Sequence, residues 1–126
     1  MTACGCGEPV LRVQDASGRG PFRPGFTHEW ADTVFIPGQD PLPPWFAEFG
    51  FDLLDSTEHG EHVGCAVRTH AQICRWFSAP ERARLSALGF SVVETRAGRV
   101  LAESENQLVF ANRMPLRYGV VTKPWP

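Results

Sequence analysis

The side chains with most chemical potential in this 126-residue chain gather near its two ends. In residues 101–110, Glu103, Glu105 and Gln107 occupy alternate positions of an extended segment, which sets them on one face. Polar groups aligned this way at a strand mouth suit a sugar hydroxyl or a cationic transition state. The same pattern also fits a solvent-facing strand edge. Arg12 stands between Leu11 and Val13, so it either points to solvent or enters a site, where burial demands an acceptor. Arg19 and Arg23 suit phosphate, or the capping of loop carbonyls. His62 precedes an apolar stretch and fits either a site or a structural histidine.

Several familiar machineries are absent from the sequence. Gly18, Arg19 and Gly20 follow a strand but no helix opens after them, so no phosphate cradle of the usual kind is built. No serine lies in a nucleophile elbow. His59 and His62 are separated by Gly60, which disfavours a helix carrying both as ligands. Cys4, Cys6, Cys65 and Cys74 lack paired knuckle spacing, so no metal is assigned. Cys65 and Cys74 read as small buried apolar residues.

These groups need elements to hold them. Residues 10–14 alternate as a short strand. A shaped loop follows, because Gly18, Gly20, Pro21, Pro24 and Gly25 forbid regular structure. Thr27 suits the start of a short turn reaching Trp30, and Pro44 opens a short helix to Phe49. Six Gly, six Pro and eight of the 14 aromatics lie between Gly18 and Gly60, so this region is an ordered loop folded over the core or around a pocket. Phe22, Trp30 and Trp45 are its candidate ligand- or partner-binding rings.

The second half is more regular. Residues 63–68 read as a strand. Thr69 with Gln72, and Ser78 with Glu81, form capping boxes for two short helices. The first helix aligns Ile73, Trp76 and Phe77. The second buries Leu85 and Leu88 and stops at Gly89. Strands follow over 90–95, 100–104 and 107–112, with a tight turn at Gly98. The expected fold is α+β: one domain over 1–126, with a mobile start over 1–9, a mostly antiparallel sheet, two short helices and the long aromatic, Pro- and Gly-rich loop.

Charge is unevenly spread. Residues 1–61 carry three Arg against ten acids, and residues 62–126 carry nine cations against four acids, a split of -7 and +5. The halves either neutralise each other on packing or present opposite signs to a partner. The overall balance of -2 disfavours direct sequence-specific nucleic-acid binding. No apolar run is long enough for a membrane helix, and no signal pattern opens the chain, so a cytoplasmic setting without a membrane is expected.

Beyond these readings, the chain resembles a family of small phage and prophage proteins. The similarity lies in residues 11–22, 62–66, 72–77, 89–93 and 106–110, of which Gly18 to Phe22 (GRGPF) and Asn106 to Phe110 (NQLVF) are the more specific. It implies a phage-encoded accessory protein in the host cell. The first expectation is a protein that binds and inhibits a host defence target, such as a CRISPR-type nucleoprotein complex, with no cofactor. A more distant resemblance is to ADP-ribosyltransferase-like folds, including RES toxins and some anti-CRISPR enzymes. It implies, as the alternative, a small NAD-dependent ADP-ribosyltransferase-like enzyme with NAD in a cleft between two sheets, Arg12 on phosphate, an aromatic on the nicotinamide, His62 or Thr69 in the middle, and Glu103, Glu105 or Gln107 at the oxocarbenium-like ribosyl group. That reading requires Arg12 and Gln107 to share one pocket. Tyr118 comes too late for the ring-stacking role, and Gln107 in place of an acid would leave a binding protein on an inherited scaffold.

Overall fold

A computed structural model describes residues 7–22, 27–30 and 48–126. The expected site residues Arg23 and Trp45, the first two cysteines, and most of the aromatic loop lie outside the described residues, as does most of the expected helix at 44–49.

The described chain is α+β, built on two antiparallel sheets rather than one. Strand β1 (Glu8–Gln14) is followed by the short helix α1 (Thr27–Trp30), a 3-10 turn at Phe51–Ser56 and β2 (His62–Ala66). Helices α2 (His70–Trp76) and α3 (Ala79–Ala87) come next, then β3 (Ser91–Ala97), β4 (Arg99–Glu103), β5 (Leu108–Asn112) and β6 (Val121–Lys123). One sheet has the order β1-β3-β6 and the other β2-β5-β4. They meet where Leu11 and Val67 exchange backbone hydrogen bonds of 2.7 and 2.8 Å. Glu8 and Pro9 are paired with Ala97 and Arg96, so this part of the expected mobile start belongs to β1.

Side-chain alternation makes β1 the partition between two cores. Leu11 and Val13 pack with Trp30, Ile73, Phe77, Leu85, Phe90 and Val92. Val10 faces the other way, onto Ala66, Ala97, Leu108 and Phe110. Arg12 and Gln14 share the face of Val10.

Both capping boxes form as the sequence predicts. Thr69 Oγ1 accepts from the Gln72 amide at 3.2 Å, and Ser78 Oγ from that of Glu81 at 3.3 Å. The second helix differs from expectation at one position. Leu85 is fully buried, but Leu88 is 44% exposed, because the helix ends there and Gly89 turns the chain away at a φ of +96°. Cys74 is likewise exposed. The turn at Gly98 does not close a hairpin. β3 and β4 lie in different sheets, and the chain crosses between them at this glycine. A Cβ there would stand 2.9 Å from Asn112 Oδ1 and 3.1 Å from the Ala111 carbonyl.

Candidate functional site

The segment expected to align Glu103, Glu105 and Gln107 on one face is not a continuous strand. β4 ends at Glu103 and the chain turns, with the Ser104 amide donating to the Gln107 carbonyl at 2.9 Å. Ser104 Oγ also accepts from the Asn106 amide at 3.1 Å. Ser and Asn compete with the strand ladder through such local bonds, which the two-residue periodicity does not register. The three candidates therefore separate. Glu103 is exposed and bonded to Arg68, whose guanidinium also takes Glu8. Glu105 is exposed, and its carbonyl accepts from Gln72 Nε2 at 3.0 Å. Gln107 turns inward and is 2% exposed.

Gln107 and Arg12 line the same cavity, of about 620 Å³. It lies against the junction of the sheets. Its walls come from β1, the Gly18–Phe22 loop, residues 63–67, α2 and Leu116. His62 is exposed at the start of β2, outside this lining. Arg19 is exposed at the rim of the cavity, and Phe22 contributes to its wall.

Arg12 is the unusual member. It is 7% exposed, and every partner is neutral. Nε donates to Gln14 Oε1 at 3.0 Å, one terminal nitrogen to the Cys65 carbonyl at 2.8 Å, and the other to the Gly18 carbonyl at 3.0 Å. The nitrogen on Cys65 also lies 3.9 Å from its Sγ. Four contacts leave at least one of the five guanidinium N–H groups for a ligand. Among the described residues no carboxylate pairs with it. A buried cation without a counter-ion carries an uncompensated desolvation cost, and an anion entering the cavity would offset it. Gly20 and Gly64 make room for the fork: a Cβ at Gly64 would stand 3.2 Å from its nitrogen, and one at Gly20 3.4 Å.

An aromatic wall supplies the apolar side. Phe22 meets Trp30 and Trp76 edge-on at 5.3 Å and stacks on Phe77 at 5.7 Å. Trp76 Nε1 donates to the Asn106 carbonyl at 2.9 Å, so α2 and the β4–β5 turn hold each other beside Gln107. Trp30 anchors the loop by donating to the Pro21 carbonyl. Cys65, Trp76 and Leu116 were not site candidates on sequence. Only the i, i+3 placing of Trp76 beside Ile73 hinted at its inward face.

Glu48 is a further unforeseen participant. Its carboxylate accepts from Gln107 Nε2 at 2.9 Å and from Asn106 Nδ2 at 3.0 Å. Burial raises its proton affinity, but the hydrogen bonds from Gln107, Ser104 and Asn106 outweigh this and hold the carboxyl below its ordinary range.

Three acids of the first half pair with arginines of the second. Arg68 pairs with Glu8, Arg99 with Glu61, and Arg113 with Glu58 at 3.6 Å, so each pair joins an acid of the first half to an arginine of the second. Among the described residues no cluster of His, Cys, Asp or Glu is suited to a metal, and no helix is long and apolar enough to cross a membrane.

A family model described as Bacteriophage T4 Y00F protein matches residues 1–119. No curated protein and no solved structure matches the chain.

Proposed function

The chain belongs to the bacteriophage T4 Y00F protein family, and from that premise we propose that it is a phage accessory protein that binds a dinucleotide of the NAD class in the cleft between its sheets, in the host cytoplasm. The observation that carries this reading is Arg12, a buried guanidinium with only neutral partners, facing a cavity that Gln107 also lines. Phosphate is the natural anion for a planar fork, and Arg19 at the rim supplies a second cation for a pyrophosphate. Trp76 and Phe22 offer ring faces to a base or nicotinamide. The cavity volume falls within the usual span for small-ligand sites, roughly 300–1,000 Å³. A cleft where two sheets meet is also what the ADP-ribosyltransferase-like resemblance implies. Gln107 itself is neutral and supplies no charge to an oxocarbenium-like centre.

Inhibition of a host defence complex is the other expectation, and it drew on the split of charge. The pairs of Glu8, Glu58 and Glu61 with arginines of the second half neutralise part of that split. Titration calorimetry with NAD and ADP-ribose tests the dinucleotide reading. Saturable binding to the wild-type protein is expected, lost on removing the Arg12 charge. No binding heat at millimolar ligand would overturn it.

A further inference from the structure

The cavity has an anionic counterpart to Arg12. Glu48 stands behind Gln107, with Gln107 Nε2 on one carboxylate oxygen at 2.9 Å and Asn106 Nδ2 on the other at 3.0 Å. Both donors are neutral, and no described cation pairs with the carboxylate. Arg75 reaches the same Asn106 amide from its oxygen, at 3.3 Å, without contacting Glu48. The Glu48 charge is thus fixed in place but not cancelled, and one amide group separates it from the cavity. A cavity with an uncancelled cation on one wall and an uncancelled anion behind another suits a ligand that carries both signs.

We propose that Glu48 is a positioning and specificity residue that selects the oxidised, cationic nicotinamide ring over the reduced, neutral one. The inference rests on the dinucleotide reading above. Glu48 acts through Gln107. By holding the amide nitrogen it sets the orientation of the Gln107 side chain at the cavity wall. For a ring placed on the cavity side of that amide, taken as about 7 Å from the carboxylate, the field of Glu48 acts at an effective dielectric of about 20. With allowance for partial solvent screening, this amounts to a preference on the order of tenfold. The two forms of the dinucleotide share their phosphates and adenine, so contacts of Arg12 and the rest of the cavity cancel in the ratio of their affinities.

The experiment measures Kd for NAD+ and NADH by titration calorimetry on the full chain, for the wild type, Glu48→Gln and Glu48→Asp. The wild type is expected to bind NAD+ about tenfold tighter. Glu48→Gln, which keeps an acceptor for Gln107 or Asn106 but no charge, should bring the ratio close to one. Glu48→Asp should keep a preference for NAD+ even where both affinities fall. A purely structural role would weaken both forms together and leave the ratio unchanged in Glu48→Gln. That result overturns the proposal alone, as does equal binding of the two forms by the wild type, which needs no variant to fold. Failure of the wild type to bind either form overturns the dinucleotide reading and this proposal with it.

Discussion

Replacing Arg12 with Met separates a ligand-binding role from a purely structural one. The substitution keeps a long apolar stem and removes the guanidinium. It leaves Gln14 Oε1 and the carbonyls of Cys65 and Gly18 without their donor. Buried acceptors stripped of a partner cost about 1–3 kcal/mol each. Against this, the desolvation of an unpaired cation, several kcal/mol in a protein interior, disappears. The cavity also admits water to acceptors along its wall. The opposing contributions are similar in size, so Arg12→Met is expected to change stability by no more than about 2 kcal/mol, a Tm shift within roughly 8 °C. Ligand affinity has no such compensation. A charge-assisted bond to phosphate in a partly buried site contributes about 1.5–3 kcal/mol, so Kd for ADP-ribose should rise about 10- to 150-fold. Thermal unfolding by circular dichroism and titration calorimetry on the same preparation give both quantities. A folded variant with unchanged affinity and a Tm lowered by more than about 15 °C would refute the reasoning and make Arg12 a structural residue.

Other outcomes follow from the same geometry. Leu85→Ala should cost about 2–5 kcal/mol in chemical denaturation, since the residue is wholly buried, whereas Leu88→Ala should cost less than about 1 kcal/mol. Thr69→Ala and Ser78→Ala each remove a cap and should cost about 1 kcal/mol, read from the denaturation midpoint. Gly64→Ala brings a methyl group 2.7 Å from Leu116 Cδ1 and 3.2 Å from the Arg12 guanidinium, so calorimetry should show weaker ADP-ribose binding. Hydrogen bonding to Arg68 holds the Glu103 carboxyl below its ordinary value of 4.5. A lowered folded value contributes stability that is present above 4.5 and fades as pH falls through the lowered value. Tm measured from pH 7 down to pH 3 should therefore decline less steeply below about pH 4.5 in Glu103→Gln than in the wild type.

What was legible in the sequence was mostly local. The two capping boxes, the stop at Gly89 and the inward face of Ile73, Trp76 and Phe77 depend on neighbours within a few residues, and all are present. Arg12 was legible as a problem, a charge inside an apolar strand, but beyond Gln14 its neutral partners come from residues 18 and 65. The crossing at Gly98 escaped notice because a glycine turn has the same local chemistry whether it closes a hairpin or changes sheets. β6 escaped because Val121, Thr122 and Lys123 form a short edge strand with two exposed residues, so no buried face left an alternating pattern. Glu48 was out of reach altogether, since its bonds to Asn106 and Gln107 span 58 and 59 residues.

The junction of the sheets has a dynamic consequence. Among the described residues, Leu11 and Val67 form an isolated backbone bridge from β1 to the chain just beyond β2, made of two hydrogen bonds. Any widening of the cleft between the sheets strains that pair before it strains a regular ladder. The amide protons of Leu11 and Val67 are thus natural reporters of cleft breathing. Their exchange with deuterium should outpace that of Val93 and Val109 within the two ladders, and should slow when a ligand occupies the cavity.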